Sequence, residues 1–142
     1  MMKDNHGQIS LEYLLIFSIS LILLIVFTLP LVEQSIQNTL DVSESMNMAS
    51  DLSKLSQAIQ TVYGQGQGSR QSVDIISQRS NTINIASNYA TCDMELKDKS
   101  HKLVKVDFNS NLPRTSVQIN KGTNKIIVDW PSGSENMKIY KV

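Results

Sequence analysis

Gly7-Gln8-Ile9-Ser10-Leu11-Glu12-Tyr13, followed by the apolar run from Leu14 to Val32, decides how the rest of this chain is read. No charged residue occurs from Tyr13 to Val32. A helix of about 20 residues that is apolar on every side rises about 30 Å, the thickness of a bilayer's hydrocarbon core. Glu12 stands at the very start of that run. A carboxylate in apolar surroundings costs a few kcal/mol at mid-membrane and less near the interface, so a retained acid points to a partner.

Three kinds of N-terminal apolar segment compete. A secretory signal peptide has a basic leader, a short apolar core and a small-residue cleavage site after the core. Here Lys3 is offset by Asp4, and Glu33-Gln34-Ser35-Ile36-Gln37 follows the run without an Ala-x-Ala pattern. A plain signal anchor fits the length but gives Glu12 no reason to exist. The third kind is a leader removed ahead of the apolar run, which then stays on the mature protein.

The residues at this point resemble the class III signal peptide of archaeal type IV pilin-like proteins. That pattern is Gln-x-Ser-x-Glu with an aliphatic residue, usually Leu, a few positions on. Gln8, Ser10, Glu12 and Ile16 supply it, with Ile in place of Leu. The resemblance implies cleavage between Gly7 and Gln8 by a prepilin-type signal peptidase of the aspartic membrane-protease class. It further implies a helix that waits in the cell membrane as a single span. An assembly platform and its ATPase then draw it into a homopolymeric surface filament that serves adhesion. Glu12 matches the family's glutamate, which pairs with the N-terminal amine of a neighbouring subunit and sets the axial register. An unpaired carboxylate in a dry core is costly, so a matched amine would select one stacking over others. The plainer role for Glu12 is to favour the dipole near the helix start, and the two roles use different partners. Cyclisation of an N-terminal Gln8 to pyroglutamate would remove the amine charge.

Within the run, Ser18, Ser20 and Thr28 can return their hydroxyls to carbonyls one turn back, or allow close helix approach. Pro30 lacks an N–H and crowds the preceding turn, which predicts a kink or local melting there. Downstream, Met48, Leu52, Leu55, Ile59 and Val62 follow a 4-3-4-3 spacing, one apolar helix face. Ile36 and Leu40 are read as its upstream extension, across a weaker polar patch from Ser43 to Asn47. The stripe suits a coiled-coil seam or, better, the face that covers a globular head. No Gly or Pro interrupts Leu31 to Tyr63, so one helix from about Ser10 to Tyr63 is expected.

Gly64-Gln65-Gly66-Gln67-Gly68 then stops the helix. A nucleotide loop would follow a strand and open a helix, which this stretch does not do. From Ser72 the period changes to alternation. Val73–Ile76, Ile83/Ile85, Met94/Leu96, Val104/Val106/Phe108, Val117/Ile119, Ile126/Val128/Trp130 and Met137/Ile139 mark strands. Asp98-Lys99-Ser100 and Asn120-Lys121-Gly122-Thr123-Asn124 read as hairpin connections, and Asn109 to Pro113 as a looser turn. Short loops imply an antiparallel meander. The expected class is therefore α+β: a long N-terminal helix, apolar then amphipathic, packed on a small C-terminal antiparallel sheet, the pilin architecture. The expected division is a leader over 1–7, an apolar membrane or filament-core helix over 8–32, an amphipathic helix over 33–63, a connector over 64–71 and a head over 72–142.

Composition bounds the rest. The 142 residues leave roughly 80 for a head, enough for a small core. Net charge is zero, so no global basic field points to nucleic acid. Residues 1–62 nevertheless hold two basic and six acidic groups, which leaves the C-terminal part modestly cationic. Such a part fits anionic surfaces or simple solvation. Cys92 is the only cysteine, so no intrachain disulfide or cysteine-based zinc site forms, and it reads as a small core residue. His6 falls in the leader, which leaves His101 alone. Asp93, Glu95 and Asp98 are near one another but match no calcium loop. Trp130 reads as core at a strand end or as a sugar-stacking platform. No Asn-x-Ser/Thr sequon occurs. No catalytic constellation, cofactor or metal is expected, so the chain reads as no enzyme. The alternative to a filament subunit is a non-polymerising, membrane-anchored binding module with an extracytoplasmic β head.

Overall fold

Helix α1 (Asn5–Gln65) precedes seven strands: β1 (Arg70–Ser77), β2 (Asn81–Ile85), β3 (Tyr89–Glu95), β4 (His101–Asp107), β5 (Thr115–Ile119), β6 (Gly122–Asp129) and β7 (Lys138–Lys141). The computed structural model describes residues 5–142 except Asp98 and Asn111, and for residues 5–9 the backbone alone. The chain forms two compact units, one ending at Thr39 and the other running from Leu40 to Val142. The fold is α+β, with α1 packed on antiparallel sheets in the second unit.

Within that second unit α1 buries Met48, Leu52, Leu55, Ile59 and Val62, the stripe its spacing predicts. The upstream extension is different. Ile36 and Leu40 are 54% and 49% exposed, and the buried positions before Met48 are Ser45 and Asp41. At about 100° per residue Leu40 lies about 80° off the Met48 direction, whereas Asp41 lies about 20° off. The buried face therefore turns polar rather than shifting to the nearest aliphatics. The helix also runs two residues beyond Tyr63 and ends where Gly66 takes a left-handed φ of 82° and its N–H bonds the Val62 carbonyl. Ser69 Oγ donates to the same carbonyl, and β1 begins at Arg70, so the stretch between helix and strand is 66–69 rather than the 64–71 expected.

All seven expected strands are present, but they do not make one meander. They divide into a three-stranded sheet of order β1-β6-β7 and a four-stranded sheet of order β4-β3-β2-β5, both antiparallel. The second is a Greek key: β2, β3 and β4 follow by short turns and β5 returns beside β2. The turn after Glu95 is the hairpin expected, with Leu96 and Ser100 bonded across it; Asp98 lies outside the described residues. The segment after β4 crosses the sheet end, about 14 Å over three strand spacings. Phe108 and Ser110 pin it to Asn88 and Ser87, and buried Phe108 and Leu112 plug the core beneath.

Asn120 to Asn124 is not a hairpin, because β5 pairs with β2 while β6 pairs with β1. Buried Asn124 explains the change. Its Oδ1 accepts the Asn120 N–H at 2.8 Å, and its Nδ2 donates to the carbonyls of Asn120 (2.7 Å) and Gly122 (3.0 Å). One side-chain amide thus occupies the backbone groups a hairpin partner would use. Gly122, at φ 106°, turns the chain from one sheet into the other. The β1–β2 connection makes the matching corner. There the Arg79 guanidinium donates to the Glu95 carbonyl and lies 3.8 Å from Asp41 and 3.9 Å from Glu44.

Candidate functional site

The N-terminal unit carries the processing motif. Every described side chain from Ser10 to Val32 is exposed, including Phe17 at 67%. The run has a mean hydropathy of 2.8 in its most apolar window, none of it buried, and is long enough to cross a membrane. A helix of this kind cannot rest in water, because apolar surface left wet costs about 25 cal/mol per Å². It needs lipid or other helices on all sides.

Gly7 and Gln8, the expected cleavage pair, lie in helical backbone, and their side chains are outside the described residues. Ser10, Glu12 and Ile16 lie exposed on the same helix. Glu12 has no ion pair or hydrogen bond among the described residues. In the uncleaved chain α1 begins at Asn5 and has no acid in its first turn. Glu12 is then too deep to serve the helix dipole, which acts within the first turn; loss of residues 1–7 would bring it near the start.

Two of the three hydroxyls in the run bond back within the helix, Ser18 to Leu14 O at 2.8 Å and Thr28 to Leu24 O at 2.6 Å, while exposed Ser20 makes no such bond among the described residues. Helix α1 continues through Pro30 to Gln65, so local melting at the proline does not occur.

The other sequence candidates fall in the head. Asp93 and Glu95 lie on the exposed face of β3, where Asp93 meets His101 Nδ1 at 3.3 Å. No group of three or more potential metal ligands exists among the described residues. Cys92 is buried in β3, and burial, then the adjacent Asp93 charge, pushes its thiol up to about 11. Trp130 is half-buried, stacks on Tyr63 at 6.0 Å and donates its Nε1–H to Ser134 O. It is therefore a seam between helix end and sheet rather than a free platform. Gly68 follows the helix stop and its N–H bonds the Trp130 carbonyl, a structural contact far from a phosphate loop.

The similarity found to known proteins lies at the N-terminus. The family model described as the class III signal peptide, the type IV pilin-like signal, matches residues 5–31. No curated protein and no solved structure matches the chain. The signal and the exposed apolar helix fit a type IV pilin-like protein, processing by a prepilin peptidase, membrane anchoring and surface export.

Proposed function

We propose that this chain is the structural subunit of an archaeal type IV pilus-like filament on the cell surface, serving adhesion and catalysing no reaction. The observation that carries the reading is a class III signal joined to a helix exposed and apolar on all sides. A prepilin-type peptidase cuts between Gly7 and Gln8. Both residues are in helix, and Gly7 weakens it by about 0.5–1 kcal/mol relative to Ala, which makes this turn easy to open for the peptidase. The remaining span holds the subunit in the membrane until an assembly platform and ATPase draw it into the filament. There, neighbouring helices replace lipid at little apolar cost. Glu12, unpaired in the single chain, pairs with a neighbour's N-terminal amine and fixes the axial step.

Mass spectrometry of the mature protein, with electron microscopy of cells before and after gene deletion, tests this. The expected results are an N-terminus at residue 8, free or as pyroglutamate, and loss of a surface filament. An intact Met1 overturns the reading. Filaments unchanged by deletion would favour a membrane-anchored binding module, an alternative supported by the separate core of the unit from Leu40 to Val142.

A further inference from the structure

The outer face of the four-stranded sheet carries an open cleft of about 370 Å³ where the β2–β3 turn meets the start of β5. This is at the lower end of the roughly 300–1,000 Å³ that small-molecule sites occupy, room for one sugar residue. The strand register builds its wall. Asn84 stands opposite Thr91 on one side and Ser116 on the other, so an amide and two hydroxyls form a row across β3, β2 and β5 at about 5 Å intervals. Buried Ile85 and Ala86 close the base, and the half-buried Tyr89 ring forms one side.

Charge selects among ligands. The Lys105 ammonium sits 5.0 Å from the Tyr89 ring centre but is neutralised by Asp107 at 2.9 Å. Asp93, further along the same face, is held by His101. Arg114, which lines the cleft, has no ion pair or hydrogen bond among the described residues. The cleft therefore offers one unmatched guanidinium, suited to one carboxylate in a bidentate pair rather than to a dianion. The Asn84 amide and the Ser116 hydroxyl can each donate and accept, and the Thr91 hydroxyl, which donates to the Asn84 carbonyl at 3.5 Å, can accept, as vicinal sugar hydroxyls require. The tyrosine supplies an apolar body for a sugar ring.

We infer that this cleft, formed by Arg114, Tyr89, Asn84, Thr91 and Ser116, binds an acidic sugar: a hydroxylated ring bearing a single carboxylate. The inference gives the adhesive part of the function above a ligand class, and its test does not require assembly. Isotope-labelled full-length chain in detergent micelles is titrated with sodium glucuronate, glucose and acetate, and amide signals are followed by NMR. Glucuronate is expected to shift the signals of the cleft residues saturably at millimolar concentration, with glucose and acetate each at least about tenfold weaker. Arg114→Gln, at an exposed position that does not disturb the core, is expected to weaken glucuronate about tenfold. Absence of saturable shifts overturns the inference. So does equal binding of glucose or acetate, or an unchanged affinity in Arg114→Gln. Because unassembled chain is used, failure to bind speaks against the cleft alone, and failure to form filaments against the helix alone.

Discussion

The carboxylate of Asp51 on α1 accepts the main-chain N–H of Ile76 on β1 at 3.0 Å. Strand β1 is an edge of its sheet, and an edge strand presents unpaired N–H groups that invite another chain. The helix covers one of them with a side chain that is itself only 9% exposed. Lys54 holds the other carboxylate oxygen at 2.8 Å. One acid thus fastens the helix to the sheet and closes part of its edge.

Asp51→Ala should destabilise the head by about 1–3 kcal/mol, because it removes the charge-assisted bond from the Ile76 N–H and the Lys54 ion pair together. Asp51→Asn keeps an acceptor oxygen and should cost less. Urea unfolding followed by circular dichroism gives the ranking; equal stability of all three chains would show that the bond contributes nothing.

Removing the corner amide should be more damaging. Asn124→Ala leaves the Asn120 N–H and two carbonyls without a partner, for an expected loss of about 2–4 kcal/mol. Asn124→Asp sets a carboxylate oxygen against the same two carbonyl oxygens in a buried site, so it should cost at least as much as Asn124→Ala. Melting temperatures of the three proteins check the order.

The buried thiol makes stability depend on alkaline pH. Cys92 ionises near 9.0 when unfolded and near 11 when folded. Its contribution is complete below pH 9 and is lost as pH rises towards 11, by on the order of 2 kcal/mol. Stability measured from pH 8 to 11 should fall less steeply in Cys92→Ala than in the parent, whatever the offset from the lost side chain. Parallel curves would show that the thiol is not the cause.

Glu12→Ala should leave membrane insertion intact, since it removes a charge from the edge of an apolar helix. Under the proposed register role filament assembly should nevertheless fail, because the amine of the next subunit would lose its counter-charge. Cell fractionation and electron microscopy of the variant separate the two effects, and normal filaments would remove Glu12 from the register.

Features carried by neighbours in sequence were legible beforehand. The Gln8–Ser10–Glu12–Ile16 pattern lies within three turns of helix, the Met48 to Val62 stripe has a strict period, and each strand shows its own alternation. Contacts between distant residues were not. Nothing local marks Asp51 as the acceptor for Ile76, Arg79 as the cation between Asp41 and Glu44, or Arg114 as a wall of a cleft shared with Tyr89. Leu40 is as hydrophobic as the stripe residues, but its angle on the helix points it away from the Met48 face.

By itself the sequence determined the elements: a membrane-length helix with an acid at its start, an amphipathic continuation, a glycine stop and seven strands. Each follows from periodicity, side-chain polarity and backbone restriction acting over a few residues. Only the tertiary structure decided that the strands form two sheets rather than one meander, and hence where the cleft opens. Strand pairing is a competition among all available edges, and here it was settled by Asn124, whose side chain takes the backbone groups a β5–β6 hairpin would have used.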